Sequence, residues 1–152
     1  MNAFDKKHKA MRDITHIVLH CTATPQTTTI ESIMNYWYAP KPKGNGWKTP
    51  GYHYIIKPDG SAVNLVPIDK PSNGVAGHNS HSIHISFIGG IDKKGGQLDN
   101  RTPAQIAKQI ELIKEIKLLF PMAEILGHRD FPNVKKFCPS FDARSWAKSV
   151  GF

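Results

Sequence analysis

The segment Ile14-Thr15-His16-Ile17-Val18-Leu19-His20 constrains the fold of this 152-residue chain more than any other. It is short, rich in β-branched residues and apolar at its centre, the pattern of a strand buried inside a sheet. Tyr52-His53-Tyr54-Ile55-Ile56 and Ile83-His84-Ile85-Ser86-Phe87-Ile88 repeat that character, and Gly89-Gly90 closes the second of them. Pro58-Asp59-Gly60 has the composition of a tight turn, so Ser61 to Val66 is expected to pair back as a hairpin. Glu124 to Leu126 reads as a last, short strand.

Helices fall between these runs. Thr29 is placed to cap a helix carrying Ile30, Ile33, Met34 and Trp37 at helical spacing. Thr102, Pro103 and Gln105 form the sequence of a capping box with proline at the first helical position. Ile106, Ile110, Ile113 and Ile116 then recur every three or four residues, Leu112 and Leu119 widen the stripe, and Pro121 stops it. Asp142 to Val150 is a terminal helix bearing Trp146. The order β-α-β-β-β-α-β-α predicts an α/β fold: one domain, residues 13–152, with a central mixed sheet flanked by helices. Residues 1–12 are basic and polar, without periodicity, and read as a flexible tail.

The tail lacks the apolar core of a secretory leader, and no apolar run reaches the roughly 20 residues of a membrane span. The expectation is a cytoplasmic, monomeric protein with no membrane partner. The formal net charge of +8 favours a polyanion. Nucleic acid is one such partner, but no recognition motif and no aromatic platform interleaved with arginine is present, so none is expected. Cell-wall polymers, with their carboxylates and phosphates, fit the charge equally well.

Among eight histidines and two cysteines, His20, His128 and Cys138 stand out. His20 closes the first strand, His128 follows Gly127 at the end of the last, and Cys138 lies ten positions later before Pro139. Two strand ends and a following loop can converge on one point. Three protein ligands leave a fourth position open, as in catalytic zinc sites. The same residues also have plain readings: a hydrogen-bonded core histidine, a turn residue and a small buried hydrophobe. Cys21 is the rival thiol, but alternation along a strand turns it away from His20 and makes it a packing residue. A Cys21–Cys138 disulfide is the structural alternative.

Seven stretches, in order, resemble the type-2 N-acetylmuramoyl-L-alanine amidases, most closely the phage lysozyme branch, whose fold is shared with the peptidoglycan recognition proteins. They are Ile17 to Thr24, Gly51 to Ile56, Pro58-Asp59-Gly60, Ile88 to Asp92, Thr102 to Gln105, Gly127-His128-Arg129-Asp130 and Cys138-Pro139-Ser140-Phe141-Asp142. Together they span about residues 14–147. The resemblance implies that His20, His128 and Cys138 bind one zinc ion per chain, and that Tyr52 and Lys136 are the catalytic helpers, with Lys135 the adjacent rival. It implies hydrolysis of the lactyl–L-alanine amide of peptidoglycan or muropeptides, as in a phage or prophage endolysin that reaches the wall on host lysis. A recognition module that binds peptidoglycan without cutting it is the alternative. His78 falls where the family lines its substrate groove, and Trp47 is placed to stack on sugar or peptide. His53, beside Tyr52, faces the other way and is expected to be structural or to support a ligand imidazole from behind. The family usually has a small residue where His84 stands and an asparagine near His81, so this chain departs from the pattern there.

Overall fold

Strand β1, His16–Cys21, is the second strand from one edge of a five-stranded sheet. The computed structural model describes residues 12–152; the basic segment 1–11 lies outside the described residues. The sheet also contains β2 (Tyr54–Ile56), β3 (Ala62–Asn64), β4 (Ser82–Phe87) and β5 (Glu124–Gly127), in the order β3-β2-β4-β1-β5. Only the β2–β3 hairpin is antiparallel. Three helices pack on it: α1 (Ile30–Tyr38), α2 (Pro103–Leu119) and α3 (Ala143–Ser149). The element order and the mixed sheet agree with the sequence reading.

Both faces of β1 are covered, as its continuous apolar centre requires. Ile17, Leu19 and Cys21 point to the side where Ile113 and Ile116 of α2 and Ala143 and Ala147 of α3 complete the main core. Val18 points the other way, against Val75, Leu126 and Phe131. His20 shares the Val18 face by the two-residue period. Helix α1 closes a third cluster, in which Ile33 and Trp37 meet Ile55 and Ile88.

The caps match the expected chemistry. Thr29 accepts from Ser32 N, Asp142 from Ser145 N, and Thr102 and Gln105 form a reciprocal capping box. The buried face of α2 differs from the expected stripe. Gln105 and Gln109 are buried together with Leu112, Ile113, Ile116 and Leu119, while Ile106 and Ile110 are only partly covered. The first turns of α2 lie over the ends of β2 and β4, beside the carbonyls of Ile56 and Ile88. Gln105 Nε2 donates to Ile56 O at 3.1 Å and Ile88 O at 3.2 Å, and Gln109 Oε1 accepts from Arg101 Nη1 at 2.8 Å. Buried carbonyls need donors, and an isoleucine at 105 would offer none.

Arg12, counted with the tail in the sequence reading, is tied into the domain. Its guanidinium donates to Ile68 O, Asn79 O and Ser82 O at 2.8–3.0 Å.

Candidate metal centre and groove

Parallel strands bring their carboxyl ends to one edge of the sheet, where open α/β folds place their ligand sites. Leu19 of β1 is in register with Gly127 of β5, so His20 and His128 leave the sheet side by side. Their ring centroids are 4.9 Å apart. Cys138 returns to the same point because Arg129 N donates to Cys138 O at 2.9 Å, which pins the loop beneath β5. Cys138 Sγ lies 3.7 Å from His20 Nδ1. One potential ligand atom from each of His20, His128 and Cys138 falls within 4.8 Å of the others, and no other such His/Cys/Asp/Glu group occurs among the described residues.

The donor set consists of two imidazoles and a thiol, which suits zinc. Burial, followed by the charges of neighbouring histidines, holds His20 well below its ordinary pKa. Burial and then the Lys136 ammonium push His128 down to about 4. Both imidazoles are therefore neutral near pH 7, the form that binds metal. Burial raises the Cys138 thiol well above its usual value. A dication within bonding reach reverses that preference, since thiolate is the form that binds metal.

Both cysteines are free thiols. Cys21 packs in the main core, its Sγ 3.6 Å from Ser140 Oγ, and its backbone N–H donates to Cys138 Sγ at 3.2 Å. Cys21 thus supports Cys138 through its amide rather than competing through its sulfur.

The three donors sit in the wall of an open groove of about 500 Å³. Tyr52, Trp47 and Lys136 also line it; Lys135 does not. Tyr52 stands edge-on to Trp37, with its ring centroid 4.9 Å from that of His20, and its hydroxyl donates to Cys21 O at 3.4 Å. Desolvation, followed by the neighbouring cysteines, raises the Tyr52 phenol well above its ordinary range, so it stays protonated. Trp47 stacks on Trp37 with centroids 6.3 Å apart, so it both staples its loop and presents a face to the groove. His78 does not line the groove. It packs on Phe131 at 4.5 Å and against His81 at 6.0 Å. Sequence reasoning missed Tyr36, Asn45 and Asn73 on the groove wall. The exposed aromatic among them, Tyr36, follows from the polar face of α1, but nothing in the local sequence marks the two asparagines.

His53 is fully buried away from the groove. Its Nε2 meets Lys70 O at 2.7 Å and its Nδ1 accepts from His84 N at 3.0 Å. Burial pushes its pKa down to about 4; the Lys70 carbonyl opposes this and Arg12 assists it. The unfolded chain therefore binds a proton between about pH 6.5 and 4 that the folded chain refuses. The contribution of His53 to stability is constant above that window and falls as pH drops through it. Across the window His53 alone accounts for on the order of 3 kcal/mol. Urea titrations at pH 7, 6 and 5 should show His53→Asn losing stability with acid less steeply than wild type, the difference reaching about 2 kcal/mol between pH 7 and pH 5. Identical slopes would rule out the assignment.

The profile of the N-acetylmuramoyl-L-alanine amidase family matches residues 10–141, and the chain belongs to that family. It is 35% identical over 136 residues to the endolysin of Klebsiella phage KP32, covering 89% of this chain and 86% of that one. Among solved structures it resembles the Ph2119 endolysin from a Thermus scotoductus bacteriophage, with a TM-score of 0.72 and 26% identity over 91% of this chain and 83% of that one. Bumblebee PGRP-SA shares the fold, with a TM-score of 0.69 at 19% identity over 89% of this chain and 80% of that one.

Proposed function

We propose that this chain is a zinc-dependent amidase that hydrolyses the bond between the lactyl carbonyl of muramic acid and L-alanine in peptidoglycan, acting as a phage or prophage endolysin. The observation that carries the proposal is the convergence of His20, His128 and Cys138 within 4.8 Å in the wall of an open groove. A zinc ion held by these three residues supplies Lewis acidity and lowers the pKa of water towards 7.

The chain's own residues supply the rest. The Lys136 side chain lines the groove near His20 and His128, lowering the pKa of both, and offers a cation where negative charge develops on the attacked carbonyl oxygen. Tyr52 keeps its proton and lines the same groove, so it is placed to donate a hydrogen bond to the reacting amide. Trp47 and Tyr36 give the groove aromatic surface for a glycopeptide. The excess of lysine and arginine suits an acidic wall polymer.

The test is direct. Purified protein is expected to carry about one zinc per chain. It is also expected to release alanine amino termini from sacculi without creating new reducing sugar ends. Zinc-loaded protein that binds sacculi but frees no amine would overturn the amidase reading in favour of a recognition module.

A further inference from the structure

His84 belongs to no part of the mechanism above, yet it touches a proposed metal ligand. It lies on β4 in register with Val18, so its side chain shares the face of β1 that carries His20. His20 Nε2 and His84 Nδ1 are 2.8 Å apart, and both residues are fully buried. On its far side, His84 Nε2 is 2.8 Å from Asn79 Oδ1. Asn79 Oδ1 also accepts the backbone N–H of Val75 at 2.8 Å.

That backbone amide sets the polarity of the whole chain of bonds. Val75 N–H can only donate, so the Asn79 atom facing it is the oxygen. The oxygen can only accept, so His84 carries its proton on Nε2. A neutral His84 then presents a lone pair at Nδ1, and His20 must donate to it from Nε2. This leaves the lone pair of His20 on Nδ1, the nitrogen that faces Cys138 Sγ. The His84 ring is itself held by a stack on His53 at 5.9 Å and 13° between planes. It has room only because residue 74 is glycine: a Cβ at Gly74 would overlap the His84 ring.

We propose that His84 is a positioning residue, which fixes the ring orientation and tautomer of His20 through the relay Val75 N–H, Asn79, His84, and that Gly74 is its structural counterpart. The inference rests on the reading of His20 as a zinc ligand. A ligating histidine is held by the partner of its other nitrogen, and losing that partner typically weakens metal binding about 10–100-fold.

The experiment is zinc affinity by competition with a chromophoric chelator, together with the visible spectrum of the cobalt-substituted protein. His84→Ala is expected to weaken zinc binding about 10–100-fold and to shift the cobalt bands. His84→Asn puts an amide oxygen close to the position of Nδ1, so it should recover most of the affinity and the wild-type spectrum. Gly74→Ala should reproduce the loss with His84 in place, and the Gly74→Ala/His84→Ala double variant should be no weaker than His84→Ala alone. Wild-type affinity in His84→Ala, or equal loss in His84→Asn, overturns the proposal. If His84→Ala does not fold by circular dichroism, Gly74→Ala decides, and unchanged affinity there overturns it. Wild-type protein that binds no zinc removes the metal-site reading and this inference with it; tight wild-type binding with an indifferent His84 removes this inference alone.

Discussion

Cys138→Ala should abolish zinc binding and reduce amide hydrolysis by more than about a thousandfold, since the metal carries both the electrophile and the activated water in such sites. The thiol is buried and faces His20 Nδ1, and no other Cys, His or acidic side chain among the described residues is grouped with these donors. Two remaining imidazoles make an incomplete set for a tetrahedral ion. The variant should still fold, with a measurable loss of stability. Cys138 Sγ also accepts the buried Cys21 N–H, and leaving such a donor unpaired costs about 1–3 kcal/mol. Metal analysis, circular dichroism and amine release from sacculi measure the three effects separately. A folded, zinc-free variant with wild-type activity would end the metal reading.

Lys136→Ala should keep its zinc yet lose about a hundredfold or more in kcat, the usual cost of one electrostatic donor to a developing oxyanion. Lys135→Ala should be nearly silent, because both lysines are exposed but Lys136 alone lines the groove. The pair of neighbours is therefore an internal control: both changes remove one positive charge, so any effect of net charge on wall binding is common to them. Steady-state rates on a soluble muropeptide, where wall binding plays no part, give the cleanest comparison. Equal losses in the two variants would reduce Lys136 to a surface charge.

Much of this site is legible in the sequence because strand ends are legible. His20 and His128 each follow a short apolar run, and parallel strands must deliver their carboxyl ends to one edge, so two of the three donors meet by topology alone. Cys138 is harder to place, since its position depends on the Arg129–Cys138 backbone bond, which leaves no trace in composition. The capping box at Thr102 was readable because its partners are three residues apart. The burial of Gln105 was not, because its partners Ile56 O and Ile88 O are distant in sequence and a polar residue on a helix ordinarily signals solvent. His84 shows the same limit. Its residue type looked like an anomaly, and only the register of β4 on β1 reveals what it touches.

The register of β5 on β1 also sets when the three donors can meet as the chain is made. Among the described residues the last strand at this edge pairs only with the first one, and it brings in His128, with Cys138 ten residues behind it. During synthesis His20 emerges before either partner, because β2, β3, β4 and α2 all lie between it and His128. A chain arrested after β4 carries one donor of the three, so the centre cannot assemble before β5 and the loop bearing Cys138 have been made.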